Sequence, residues 1–138
     1  MNAVRTFIDS NILIYAFSAD EPVKQKKAFD CLNNCIPVIS TQVIKEFANV
    51  IIKKFKFDPI NVSSIIHDIP HIAEIVREKL ELIIGGLRIK QRYGYSFYDG
   101  LIIATALHAN CRILLSEDLQ DNHIIDGKLR IINPFISV

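Results

Sequence analysis

Four carboxylates, Asp9, Glu46, Asp99 and Asp118, fall where an apolar run gives way to a helix or a polar turn. Asp9 follows the β-prone run 4–8, and Glu46 lies within two turns of the start of the helix that follows a second run, 37–40. Asp99 sits in the first turn of a helix opened by Ser96, and Asp118 follows a third run, 112–115. If the helix at Ser96 starts on the edge of the sheet where the strands end, all four meet at one rim. Carboxylates gathered this way repel one another, and the usual remedy is a hard divalent cation with oxygen ligands, Mg²⁺ or Mn²⁺. Such an ion would supply the charge balance that the gathered carboxylates lack.

Each carboxylate also has a plainer reading. Asp9, ahead of Ser10 and Asn11, can cap a helix. Ser96-Phe97-Tyr98-Asp99 is a variant of the capping box. Glu117, Asp118 and Asp121 can form a solvated turn. Glu46 is the least ordinary, because Val43, Ile44, Phe47 and Val50 border it with an apolar face. The inference therefore rests on joint placement.

The elements that must do the placing are legible in outline. A strand over 4–8 turns directly into a helix around Ile12, Leu13 and Ile14. Pro22 opens a second helix to about residue 33, and Ser40 or Thr41 caps a long third one. Between the breakers Asp58-Pro59 and Ile69-Pro70 a short helix is expected, then an amphipathic helix over 72–89 weakened towards its end by Gly85-Gly86. Residues 97–109 are apolar almost all round and predict a central helix. A strand over 112–115, a polar connection over 117–126 and a strand over 129–132 complete the chain. Continuous apolar strands alternating with helices predict an α/β fold, a three-layer α/β/α sandwich around a central, mostly parallel sheet. Ligands of such sheets bind beyond the carboxyl ends of the strands.

Composition sets the bounds. The 138 residues, half of them hydrophobic and 22% charged, suit one domain, 1–138, with a single core. Sixteen basic against fifteen acidic residues give a net charge of +1, which excludes a protein that coats nucleic acid by bulk charge. Three cysteines, Cys31, Cys35 and Cys111, form no finger-like pair and suit a reducing, cytoplasmic setting. The start of the chain does not read as a signal peptide, and no apolar run approaches the ~20 residues that span a bilayer, so no membrane association is expected. Gly-rich phosphate loops and a nucleophile elbow are missing from the sequence. His67 and His71 straddle Pro70, and Cys31 and Cys35 suit a packed helix face, which argues against zinc.

The blocks FIDSNILIYAF, VIKEFANV, YGYSFYDGLIIATAL and ILLSEDL, in this order, resemble those of PIN domains, especially the VapC-type toxin ribonucleases of bacterial toxin–antitoxin pairs. The likeness runs from Thr6 to about Pro134. It implies a PIN-like fold and a metal-dependent endoribonuclease, with Asp9, Glu46, Asp99 and Asp118 as the catalytic, metal-holding set, and Asn11 and Ser116 as supporting polar residues. It also implies a small antitoxin partner and a homodimer, for which the helices at 22–33 and 72–89 are candidate surfaces. The fourth acidic position varies most in the family, so Glu117 and Asp121 remain alternatives to Asp118. Gly100 stands where relatives often carry Ala, a change expected to matter little.

Direct ligation is expected from Asp9, Asp99 and Asp118, with Glu46 acting through water or orienting the nucleophile. Lys45, Lys53, Lys54, Lys56, Arg88, Lys90 and Arg92 could meet RNA phosphates, and Tyr15, Tyr95 or Tyr98 could stack on a base. Two rivals stand beside the toxin reading. One is an RNA-processing nuclease outside a toxin pair. The other is a non-catalytic RNA- or protein-binding module of the same fold, which would have no reason to keep four mutually repelling carboxylates.

Overall fold

The computed structural model describes residues 3–136. The apolar run near the start forms β1 (Arg5–Ile8), and Asp9 caps α1 (Ser10–Ala16) through its carboxylate. Then come α2 (Pro22–Asn33), with Pro at its first position, and β2 (Ile36–Ser40). Ser40 Oγ accepts from Val43 N and caps α3 (Thr41–Lys53), whose inner stripe Val43, Phe47 and Ile51 is fully buried. The short helix expected between the two proline breakers is α4 (Pro59–Asp68), capped by Asp58 and followed by a 3₁₀ turn (Ile69–His71).

The amphipathic helix expected over 72–89 is corrected. Its first part is an edge strand, β3 (Glu74–Val76), parallel to β2 with Ile39 opposite Ile75. The helix proper, α5 (Leu80–Tyr93), begins at Leu80 and runs on through Gly85-Gly86 to Gly94, whose φ of 81° makes the left-handed stop. The two glycines do not weaken it, because they let α6 (Phe97–His108) approach closely. A Cβ on Gly86 would lie 3.0 Å from the Cα of Leu101, and one on Gly100 would lie 2.6 Å from the carbonyl oxygen of Gly86. Gly100 is therefore required by packing, contrary to the expectation that alanine would serve equally.

The chain closes with β4 (Ile113–Leu115), β5 (Ile124–Ile125) and β6 (Leu129–Ile132). β5 is a short strand inside the stretch expected to be only a polar connection. The sheet order is β3-β2-β1-β4-β6-β5, parallel except for β5 against β6. From β1 the chain steps outward to β2 and β3, then crosses back to β4 on the other side of β1. Right-handed crossovers then put α1–α4 on one face and α5–α6 on the other. That gives the three-layer α/β/α sandwich, with α6 central: residues 100–106 are all buried. The reversal of direction lies between β1 and β4, and the crevice beyond their carboxyl ends is where such sheets bind ligands.

Candidate active site

Asp9 and Ser116 are the first residues beyond β1 and β4, at the reversal itself. Asp9 N donates to Leu115 O, and Ser116 Oγ donates to Asp9 Oδ2 at 2.8 Å, while Asp9 Oδ1 accepts from Ser10 N at 2.7 Å. Only 6% of Asp9 is exposed. Burial lifts its carboxyl from 3.8 to about 6, the hydrogen bonds from Ser116 and Ser10 offset only part of that, and Glu46 and Asp118 add smaller repulsions in the same direction as burial. A buried acid with two further acids within electrostatic reach is the arrangement the carboxylate pattern calls for.

The neighbours are held by neutral linkers. Ser10 Oγ donates to Glu46 Oε2 at 3.0 Å, and Gln42 Nε2 donates to Glu46 Oε1 at 3.0 Å. Asn11 Nδ2 donates to Asp118 Oδ2 at 3.1 Å, while Asn11 Oδ1 accepts from Glu117 N. Ser116 Oγ also accepts from the backbone N–H groups of Asp118 and Leu119, which folds the loop over the end of β4. Asp9, Glu46 and Asp118 thus share one network of contacts. Asp99 does not join it directly: it lies in the first turn of α6, where Ser96 Oγ caps its N–H. The link between the two parts is Gln42, whose Nε2 also donates to Tyr98 O at 3.3 Å, one residue before Asp99.

Among the described residues no three His, Cys, Asp or Glu side chains stand close enough together to hold an ion. Each carboxylate of the network is turned to a hydroxyl or an amide. The donor set itself is oxygen only and carries excess negative charge, partly in a water-poor position, which suits a hard divalent cation rather than zinc.

The alternatives for the fourth acidic position are engaged elsewhere. Glu117 takes an ion pair from Lys24 Nζ at 2.7 Å and a hydrogen bond from Tyr15 Oη at 2.6 Å. Asp121 accepts from Asn133 N and Asn122 Nδ2. Sequence reasoning missed Lys24 and Gln42. Lys24 carries no local signal, being distant in sequence from Glu117. Gln42 could have been found as an amide one helical turn before Glu46, beside the apolar stripe of Val43, Phe47 and Ile51.

The expected RNA-contacting residues divide. Tyr98 is 67% exposed beside Asp99, whereas Tyr15 is tied to Glu117 and Tyr95 Oη to His123 Nδ1. Lys54 lines a groove with Asn11, Tyr15 and Phe55 next to the network. Arg88 is corrected: it pairs with Asp126 at 2.7 Å, and Asp126 lies in the turn that precedes β6, at the opposite end of the sheet from the rim.

A mostly parallel α/β sandwich with an acidic crevice at its switch point defines the class, and comparison with known proteins gives the family. The PIN domain model matches residues 6–123, so the chain belongs to the PIN domain family. PIN domains are nucleases, which makes this a hydrolase of nucleic acid. Solved structures agree on the fold. A toxin–antitoxin complex from Klebsiella pneumoniae aligns with a TM-score of 0.71 at 21% identity, covering 94% of this chain and 98% of that one. VapC20 of Mycobacterium tuberculosis, a toxin that cleaves the sarcin–ricin loop, aligns with a TM-score of 0.67 at 13% identity over 82% and 91%. VapBC2 of Rickettsia felis, bound to a DNA fragment from its promoter, gives 0.60 at 18% over 92% and 96%. No curated protein matches in sequence.

Proposed function

We propose that the chain is a single-domain, metal-dependent endoribonuclease, the toxin of a type II toxin–antitoxin pair, working in the cytoplasm. The observation that carries this reading is the burial of Asp9 at the switch point, within reach of Glu46 and Asp118, in a PIN domain. Asp9, Asp99 and Asp118 would hold Mg²⁺ or Mn²⁺, with Glu46 beside them. Bound there, the ion supplies positive charge against the phosphate and makes water a better nucleophile at neutral pH.

The chain's own residues divide the remaining tasks. Ser116 and the Ser10 N–H fix the Asp9 carboxylate. Glu46, half-buried and held by Ser10 and Gln42, orients the attacking water through its carboxylate. Tyr98 offers an exposed ring for a base, and Lys54 meets the RNA backbone along its groove.

The antitoxin reading is supported by neighbours described as toxin–antitoxin complexes and by an apolar groove lined by Phe17, Phe29, Leu32, Ile65 and Ile72, in which Phe17, Phe29 and Ile72 are exposed. The homodimer reading rests on the exposed stripe Leu80, Ile84 and Leu87 of α5, spaced to share one helix face. No helix among the described residues is long and apolar enough to cross a membrane.

RNA cleavage in Mg²⁺ or Mn²⁺ that stops in excess EDTA is the test. Asp99→Asn should lower the rate by orders of magnitude while leaving the Ser96 cap in place, since that bond uses the Asp99 backbone. Undiminished cleavage in EDTA would sink the metal reading, and full activity in Asp99→Asn would return Asp99 to a capping role.

A further inference from the structure

Gln42 is a buried amide, and among the described residues every other buried side-chain nitrogen or oxygen has a hydrogen-bond partner. It is 7% exposed and occupies the second position of α3, between the Ser40 cap and the fully buried Val43. Its Nε2 donates to Glu46 Oε1 and to Tyr98 O, while its Oε1 is buried with no partner. The orientation of the amide is fixed by chemistry: exchanging the two ends would set its oxygen against two acceptors. A buried acceptor left without a donor destabilises the fold. Gln42 also lines a crevice with Thr41, Val76, Glu78 and Leu101 that is too narrow for water. A methionine of similar shape would remove that cost together with the two hydrogen bonds that Nε2 donates, so stability alone does not single out an amide here. What the amide does is join Glu46 on one face of the sheet to the first turn of α6 on the other, one peptide from Asp99.

We propose that Gln42 is a positioning residue that holds Glu46 in register with Asp99 across the switch-point crevice. The inference rests on the proposed metal-dependent nuclease reading and goes beyond it, since Gln42 itself touches neither substrate nor ion. Both hydrogen bonds come from one NH₂ group, so a shift of α6 is transmitted to the Glu46 carboxylate and the reverse. Residues that orient a ligand in this way typically change metal affinity 10- to 100-fold when removed.

The experiment compares the wild type, Gln42→Met and Glu46→Gln in three readouts: thermal melting in EDTA, Mn²⁺ titration followed by the ion's paramagnetic signal, and the backbone amide spectrum of the metal-free protein. Positioning predicts that Gln42→Met still melts cooperatively, binds Mn²⁺ about 10- to 100-fold more weakly whichever way its melting temperature moves, and moves the amide signals of both Glu46 and Asp99. A merely structural glutamine predicts a lower melting temperature with Mn²⁺ affinity kept, and that result overturns the proposal. Weakened binding in Glu46→Gln with wild-type binding in Gln42→Met also overturns it while leaving the nuclease reading intact. A wild type that binds no Mn²⁺ overturns both.

Discussion

Asp9→Asn tests the site through stability rather than through turnover. Lifting a buried carboxyl from 3.8 to about 6 means that folding favours the protonated form, at about 1.4 kcal/mol per pH unit. In the unfolded chain the group ionises near 3.8, so between there and about 6 the folded protein progressively loses stability. Above about 6 the full penalty applies, about 3 kcal/mol. Asparagine carries no charge at any of these pH values and keeps an oxygen to accept from Ser10 N. Part of the gain is offset by a less favourable contact with Ser116 Oγ, which donates to a carboxylate in the wild type. The net expectation in EDTA at pH 8 is about 1–3 kcal/mol, or roughly 4–12 °C in Tm for a domain of this size. Two controls follow from the same argument. At pH 4 the two proteins should melt within a few degrees of one another. With Mn²⁺ at ~100 times its Kd, the wild type alone gains about 2.7 kcal/mol, which closes most of the gap at pH 8. Melting curves by circular dichroism across pH, with and without Mn²⁺, provide the measurement. A variant that melts below the wild type at pH 8 in EDTA would refute the reasoning, since Asp9 would then be only a helix cap.

Lys24→Met removes the cation from Glu117 and should increase hydrogen exchange several-fold at the Glu117 and Asp118 amides, with Lys24→Arg restoring protection; unchanged exchange would mean that the Lys24–Glu117 pair does not hold the loop. Gly100→Ala would gain about 1 kcal/mol in an exposed helix, but here it should lose about 1–3 kcal/mol in denaturant unfolding, because the new methyl meets the Gly86 carbonyl. Ile84→Glu should shift sedimentation from dimer to monomer at micromolar concentration without changing the melting temperature of the monomer, and a wild type that is already monomeric would remove the dimer.

Much of this was legible because the signals are local. The strand ends at Ile8, Ser40 and Leu115 follow short apolar runs, and the caps Asp9, Ser40 and Ser96 are polar residues at the junctions, so helix starts and the rim could be placed together. β3 was not legible, because an edge strand of three residues, one exposed and two half-buried, has no periodicity of its own, and Ile72, Ile75 and Val76 read equally well as one helix face. Gly85-Gly86 misled for a related reason. Intrinsic propensity describes the isolated helix, whereas here the cost of two glycines is offset by the contact that α6 makes through Gly100. Arg88 and Lys24 show the same limit for charges, since their partners Asp126 and Glu117 are 38 and 93 residues away.

The topology also explains why Asp9, of the four carboxylates, is the one deprived of water. β1 is flanked on both sides by parallel strands, so the residue that follows it is covered by the ends of two loops, one entering α1 and one leaving β4. Asp118 lies two residues further along the outer loop and remains exposed, and Asp99 enters from a helix on the other face and is half-buried. The chain thus concentrates its desolvation cost on a single acid and surrounds that acid with two donors, Ser116 Oγ and Ser10 N, that favour its ionised form. A scaffold selected only for stability would place an apolar residue or an asparagine at this position. Keeping a carboxylate there is consistent with the charge being needed by something that enters the crevice, and Glu46 and Asp118 set the sign of that something as positive.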